Sequence, residues 1–598
     1  MIRMKRFYAC KALVLAVSFT GIVATGNAQG IAAPAPFGLV PSAKQVEWYH
    51  REMQSFMHFN ISTWYTQDWA TPTLSPNMFN PRKLDCNQWM RILKQAGFKS
   101  VILTVKHCDG FCIWPSAYTT HSVKYDTSWM GGKGDVVQSF TDACHRWGIK
   151  PCFYVSPWDQ NQISEYGNAA NSTAYATFMV NQLRELLTNY GPVYEIWWDG
   201  ATVGSEISET TFEMWADSVH KWQPQCIIWG DQHAAPAIDA RWIGSEVEAF
   251  TTNPCWSTIN VNNIDLDGSG SYSDSLGHGD LPGDHYIPAE TNMSIQQGDV
   301  WFWHPNQTIT VYPVSYLDTF YFTSVGRNTS MLLNNPPDTT GLLRPADSTA
   351  AIGMGAFVYG TFANNLLAGS AATALHTRGT AFSPSNMIDT AESTYFATSD
   401  SFKTDTITFV PPAAITFDCA MLKEVIQLGQ RTTKWAIDAY YDSKWNTVVT
   451  DSGIGYKRAM PFSQVTAATQ VRLRILGGVA CPAINTFGVY LRTSVWPPVP
   501  DTVPNWNTAV APRNVPQSNL SQNVLRIAGD RIVLPAEFGA GPVTLNIIDI
   551  QGRCVQRISA EATGFEQRLA MPSLKPGLYL FKCSNGRLTL EQKFMNVR

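Results

Sequence analysis

The stretch "YEIWWDGA", Tyr194 to Ala201, runs an aromatic, apolar segment into a carboxylate, Asp199, and a glycine. Asp and Gly end strands for conformational reasons alone, so taken singly the stretch reads as a turn. The pattern recurs, however. "SFMHFNIS" carries His58, and "SVILTVKH" ends at His107, Cys108 and Asp109. "KPCFYVSP" carries Tyr154 and leads to Trp158 and Asp159, while "ARWIGSE" ends at Glu246. "YIPAETNMSIQQGDVWFWH" adds Glu290, Trp301 and His304. Carboxylates among aromatic platforms suit carbohydrate. The C–H faces of a sugar pack on indole, and its hydroxyls need His, Asp and Glu partners. Glycoside cleavage commonly uses two carboxyl groups, one ionised and one holding a proton at working pH. Asp199 and Glu246 form the best pair because both end expected strands. Their separation, which distinguishes retention from inversion, is not legible in sequence.

The elements that must position these residues alternate. The strand "SFMHFNIS" (Ser55 to Ser62) precedes the helical pattern "DCNQWMRILKQAG", with Trp89, Ile92, Leu93 and Ala96 on one face and Gly97 as its stop. Strand and helix patterns then follow in turn: "SVILTVKH", "GDVVQSFTDACHRWG", "KPCFYVSP", "YATFMVNQLRELLTNYG", "VYEIWWDG", "ETTFEMWADSVHKWQ" and "CIIWGD". Repeated units with strands apolar on both faces predict a parallel sheet, and about eight of them a (β/α)8-like barrel with its site at the C-terminal ends of the strands. A doubly wound sheet satisfies the pattern as well. One more helix closes this domain near residue 365.

The order of "FMHFN", "KHCDGFCIWPS", "CFYVSPWD", "NQLRELLTNYGPVYEIWWDGA", "RWIGSE", "IPAETNMSI" and "VGRNTSMLLNNPPDTTGLL" resembles glycoside hydrolase family 29, the α-L-fucosidases, over roughly residues 40 to 360. The resemblance implies a barrel followed by a β-sandwich, and retaining hydrolysis through a covalent fucosyl-enzyme. It makes Asp199 the nucleophile. "WIGSE" is similar to the subfamily that cuts α-1,3 and α-1,4 fucosyl linkages, which implies Glu246 as acid/base, with Glu248 as the nearby competitor. By the same resemblance His58, His107, Tyr154, Trp197 and Trp301 contact fucose. Asp68–Trp69 matches a Glu–Trp pair that grips its hydroxyls. Three departures stand out. His107–Cys108 replaces a usual pair of histidines, and a thiol is a poor hydrogen-bond donor. Asp68 is one methylene shorter than the usual Glu. "VEAFTTNPCW" follows Glu246 in place of a "GETNW"-type run.

Most of the 21 tryptophans lie before residue 305, and the texture changes after Leu343. Residues 366–495 carry short alternating runs ("DTITFV", "AAITFDC", "WAIDAYY", "QVRLRIL") between turns, a β-sandwich pattern. It resembles a discoidin-like sandwich, implying possible glycan contact; equally, it packs on the barrel. Residues 496–523 form a proline-rich linker. Residues 524–598 form a small all-β module with expected hairpins at "QG" and "NG". They resemble the C-terminal sorting domain of type IX secretion, which implies that machinery as a partner.

The 598 residues carry a net charge of −4 and no Lys/Arg-rich run after the start, which argues against nucleic acid and anionic membrane partners. Residues 1–28 read as a cleaved secretory signal: a charged start at Arg3, Lys5 and Arg6, then "ALVLAVSFTGIVA", too short for a membrane span. No other stretch reads as a span, so the periplasm, cell surface or extracellular space is expected. Cys10 falls in the leader and leaves an odd number of cysteines, hence at least one free thiol. No metal and no cofactor is expected. The leading expectation is a secreted retaining exo-α-L-fucosidase acting on fucosylated oligosaccharides or glycoconjugates. The alternatives are a catalytically silent fucose-binding protein and a barrel glycosidase for a related sugar.

Overall fold

The computed structural model describes residues 31–598 apart from 166–171, 201–206, 231–233, 235–236, 244–252, 262–273, 299, 306 and 494–525 and, in the last module, 529–530, 535–539, 550–552, 564–566, 571–573, 575–576, 585–588 and 597–598. The expected signal, residues 1–28, and the linker, residues 496–523, lie outside the described residues.

Helix α1 (Ala43–Tyr49) leads into β1 (Met53–Met57). The units α2 (Cys86–Gln95), β2 (Ser100–Lys106), α3 (Val136–Trp147) and β3 (Lys150–Val155) follow. Next come α4 (Gln160–Glu165), α5 (Thr173–Asn189), β4 (Glu195–Trp197), α6 (Glu209–Trp222), β5 (Ile227–Gly230) and β6 (Ala240–Trp242). An excursion holds β7 (Thr258–Ile259), α7 (Asp274–His278) and β8 (His285–Tyr286) before β9 (Ala289–Ser294), α8 (Val314–Thr323), β10 (Ser330–Asn334) and α9 (Pro345–Phe362). Eight parallel strands close into a barrel in the order β1-β10-β9-β6-β5-β4-β3-β2. All of β1 and β2 is buried, as two-sided apolar strands require. Aspartates start the first helices: Asp85 accepts from Asn87 N and Gln88 N, and Asp135 from Gln138 N. Gly148, in the left-handed region, ends α3.

The first strand differs from expectation. It begins at Met53 and stops at Met57, so only the start of "SFMHFNIS" is strand. Asn60 ends it. Its Oδ1 accepts from Ile61 N at 2.6 Å, and its Nδ2 donates to Thr104 O at 3.2 Å and Phe111 O at 3.1 Å. Those bonds draw the backbone out of the ladder and into a 3₁₀ turn at Ile61–Trp64.

Behind the barrel, a five-stranded antiparallel sheet (371–374, 405–410, 470–478, 432–441, 444–451) faces a four-stranded one (396–397, 483–490, 415–424, 458–468). Phe409, Phe417, Trp435, Leu473 and Phe487 fill the space between them. This sandwich belongs to one compact unit with the barrel, which ends at Val503. The joint is ionic. Glu52, just before β1, lies 2.5 Å from Lys457 and 3.5 Å from Lys423 and accepts from the Tyr456 hydroxyl at 2.9 Å. Gly455 has φ +70°, and a Cβ there would come within 2.3 Å of the Asn328 side chain, so only glycine lets the two domains close. The second unit, Pro504–Arg598, carries an antiparallel four-stranded sheet ordered 554–563, 540–549, 577–584, 589–596. The two sequence-predicted hairpins are both present in it.

Candidate active site

Strand β4 decides where Asp199 goes. Glu195 and Trp197 face the barrel interior, while Trp198 faces out and packs on Phe212 and Trp215 of α6. Alternation then turns Asp199 inward, beyond the end of the strand. The Tyr154 hydroxyl, at the end of β3, donates to Asp199 Oδ2 at 2.6 Å. Beneath this pair the rings stack. Tyr154 lies 5.3 Å from Trp197 and 5.6 Å from His107, and Trp197 lies 3.6 Å from Trp229 at 6°. Burial, then the Asp199 charge, pushes the Tyr154 phenol well above its ordinary range, so it stays a donor.

His58 and His107 stand on the next two strand ends with ring centroids 6.2 Å apart. Burial, then the neighbouring His107, lowers the His58 imidazole to about 3, so it is neutral at physiological pH. Its Nδ1 lies 3.0 Å from Asn334 Oδ1, an acceptor, which places the proton on Nδ1 and leaves Nε2 as an acceptor for a hydroxyl. Burial lowers His107 too, against the Asp199 charge. Cys108 is buried beside it, with Sγ 3.4 Å from His107 Nδ1. Burial, then Asp109 and Asp199, raises its thiol far above the ordinary value, so it is neither nucleophile nor anion.

Asp68 builds the wall that carries Trp301. Its carboxylate accepts from Trp301 N at 3.1 Å and Phe302 N at 3.0 Å, and Oδ1 lies 2.7 Å from His304 Nε2. Burial opposes ionisation, but the bonds from His304, Phe302 and Trp301 hold this carboxyl below its ordinary range. The clamp sets Trp301 5.2 Å and Phe302 5.1 Å from the His58 ring. Trp69 is 47% exposed and meets Trp158 edge-on at 5.7 Å, which puts aromatic surface at the mouth.

His58, His107, Tyr154, Asp199, Trp301, Asp68 and Trp69 thus belong to one neighbourhood. Trp197 lies deeper, 3% exposed, as part of its floor. Glu246 and Glu248 lie outside the described residues. Three polar residues that the sequence places at the rim sit elsewhere. Glu290 is fully buried near the start of β9, where it accepts from Trp197 Nε1 at 3.1 Å. His304 is enclosed by Tyr65 O and Asp68. Asp159 is buried against Lys106 at 3.1 Å and accepts from Gln162 N at the start of α4. Sequence reasoning missed Phe302 and Asn334. Asn334 ends an apolar run in "MLLNN", the same signal that marked the other strand ends. Among the described residues no group of three or more His, Cys, Asp or Glu side chains is arranged to hold a metal ion.

Comparison with known proteins gives this geometry a family. Residues 35–361 match the sequence profile of the α-L-fucosidases, and residues 523–597 that of a secretion system C-terminal sorting domain. α-L-Fucosidase 1 of Arabidopsis thaliana is 34% identical over 465 residues, covering 77% of this chain and 88% of its own. A crystal structure from Bacteroides thetaiotaomicron is 42% identical with a TM-score of 0.73, covering 78% of this chain and all of that one. The Ruminococcus gnavus family 29 fucosidase in complex with fucose is 28% identical with a TM-score of 0.69, over 78% of this chain and 98% of that one. The sorting domain directs export to the cell surface or beyond, and no described helix is long and apolar enough to cross a membrane. A closed barrel whose strand ends gather a tyrosine-held aspartate, two neutral histidines and a tryptophan wall, matched over more than half the chain, places this protein in glycoside hydrolase family 29 as an exported α-L-fucosidase.

Proposed function

We propose that the enzyme is a retaining exo-α-L-fucosidase that removes terminal α-1,3- and α-1,4-linked fucose from branched glycans. Asp199 is the nucleophile and Glu246 the acid/base. An Asp199 oxygen attacks C1 as the glycosidic C–O bond breaks, and Glu246 gives its proton to the departing sugar oxygen. Glu246, now a carboxylate, takes a proton from water while the water oxygen attacks C1 and displaces Asp199. Two inversions leave the anomeric configuration unchanged. The observation that carries the reading is the Tyr154–Asp199 hydrogen bond of 2.6 Å at the base of an aromatic pocket. That bond fixes the carboxylate's orientation and stabilises it as a leaving group in the second step. His58 Nε2, His107 and a remaining lone pair of Asp68 are the proposed partners of the fucose hydroxyls. Trp301, Trp69 and the Tyr154 ring over Trp197 are its apolar walls. Fucosylated glycans are the proposed partners of this site, and the type IX secretion machinery that of the last module.

The test is made on leaving groups. A sugar alkoxide needs a proton to depart, whereas a nitrophenolate scarcely does. Glu246→Ala is expected to lose on the order of 10²–10⁴-fold on a Lewis-type oligosaccharide and far less on an aryl fucoside. NMR of the first product is expected to show α-fucose, and α-1,2-linked H-type glycans to be poor substrates. If Glu248→Ala shows the leaving-group dependence and Glu246→Ala does not, the acid/base is Glu248. A β-fucose first product ends the retaining assignment.

A further inference from the structure

The proposed chemistry leaves a fully buried carboxyl unused. Glu290 lies inside the barrel, beneath the Trp197 floor of the site. Its Oε1 accepts from Trp197 Nε1 at 3.1 Å, and its Oε2 from Gln54 Nε2 at 2.9 Å. Gln54 is tied in turn to Ser330 Oγ at 3.2 Å and to Ser100 Oγ at 2.5 Å, so β1, β2, β4, β9 and β10 meet through one network. Trp197 is the hub. It ends the strand two residues before Asp199, lies flat on Trp229, and supports the ring of Tyr154, whose hydroxyl donates to Asp199. Its other contacts, with Phe56, Tyr154 and Trp229, are ring packing, which carries no directional hydrogen bond. The bond to Glu290 is what fixes its rotation.

We propose that Glu290 is a positioning residue for the nucleophile: through Trp197 and Tyr154 it sets the orientation of the Asp199 carboxylate. This rests on the assignment of Asp199 above.

A second carboxyl, Glu195, shares the interior, and the two divide the labour. Arg51 donates to Glu195 at 3.0 Å, and Trp48 Nε1 at 3.1 Å. Among the described residues the donors to Glu290 are neutral, Gln54 and Trp197. Burial, then the Glu195 charge, raises the Glu290 carboxyl well above its ordinary range. Two adjacent buried carboxylates cannot both ionise cheaply, so the charge stays on Glu195 beside its guanidinium and the proton on Glu290. The role assigned to Glu290 therefore needs its shape and the oxygen that accepts from Trp197 Nε1 but no charge; glutamine keeps both, provided the Gln54 amide turns over to present its oxygen to the new N–H₂ and its own N–H₂ to Ser100. Arg51 and Glu195 are the charged groups facing it.

The test uses the whole enzyme with α-L-fucosyl fluoride, which needs no acid catalyst, and follows kcat and KM separately across pH. Glu290→Gln is expected to keep kcat within a few-fold of wild type with an unchanged pH profile. Glu290→Leu, which leaves the indole N–H without its acceptor, is expected to lower kcat on the order of 10²-fold with little change in KM, the scale of a small misplacement of a reacting group. Trp197→Phe keeps a ring and drops the N–H. Combined with Glu290→Leu, its loss is expected to be far less than the product of the two single losses. In ¹⁵N spectra of the free wild type and variants, the Trp197 indole N–H is expected to shift in Glu290→Leu and stay in Glu290→Gln. The proposal is overturned if Glu290→Gln loses as much kcat as Glu290→Leu, if its pH limbs move, or if the Trp197 and Glu290 losses multiply. A wild type that releases no fucose would instead defeat the fucosidase reading, so the two failures are distinct.

Discussion

The two ends of the barrel strands use polar residues in opposite ways. At the base, Glu52 meets Lys457, Lys423 and the Tyr456 hydroxyl, and Arg458 pairs with Asp451 at 2.6 Å while donating to Gly326 O. Charges buried there are matched by charges, and their work is to hold sandwich to barrel. At the rim, the imidazoles are neutral, Asp199 is held by a phenol, and flat rings supply most of the surface. Groups at the rim are thereby kept ready for a ligand's hydroxyls. Paired charges at the base hold two domains together, whereas neutral imidazoles and flat rings at the rim present a surface that a sugar can fill.

Exchanging side chains at each end should separate these roles. The largest effect on activity is expected at the rim. Asp199→Asn is isosteric and removes the nucleophile, so kcat/KM should fall on the order of 10⁴-fold or more, about 5 kcal/mol of barrier. Its melting temperature should stay within a few degrees of wild type, and fucose should still bind in calorimetry. Turnover near that of wild type would show that the nucleophile lies elsewhere.

The base should give the converse. Glu52→Gln leaves Lys457 and Lys423 without their carboxylate and should cost roughly 3–5 kcal/mol of stability in urea unfolding, with kcat unchanged at moderate temperature. The wild type should show the matching acid dependence. Burial opposes ionisation of Glu52, yet Lys457 and then Lys423 hold its carboxyl far below the ordinary value. A depressed native pKa means the contribution is complete above the unfolded-chain value of about 4.3 and is lost as pH falls below it. Stability that drops between pH 5 and 3 in the wild type and much less in Glu52→Gln would confirm the joint. Parallel curves would assign the acid sensitivity to other groups.

The smallest effect is expected at Cys108, where rim and packing compete. A Cys108→His change supplies a donor beside His107 and should tighten fucose inhibition by about 1 kcal/mol, roughly five-fold. Cys108 is buried, so the larger ring could instead cost about 1–3 kcal/mol by overpacking. A stable variant with unchanged inhibition would remove Cys108 from the sugar's contacts.

Much of this arrangement was legible before any fold was known. Alternation of apolar runs gave the barrel strands, and Gly97 marked the end of the first barrel helix by type alone. Polar residues at strand ends picked out His58, His107, Tyr154 and Asp199, because a barrel collects those ends in one place. The same rule misread Glu290. It sits second in its strand instead of closing it, and no local signal distinguishes the second residue of "AETNMS" from the last. It also overstated Asp159, a strand-following carboxylate whose partners, Lys106 and the start of α4, lie in other segments.

The sequence by itself determined the periodicities, the caps and the order of chemical groups along the chain, since each depends on residues a few positions apart. It also carried the family's motifs and the export module. Only the tertiary structure decided which of those groups share a neighbourhood. That Asp68 holds the backbone of Trp301, that Tyr154 orients Asp199, and that Glu290 lies under Trp197 depend on residues 45 to 233 positions apart in the chain. Such distances are closed by the barrel's register, which the packing of all eight strands sets together and no single segment encodes.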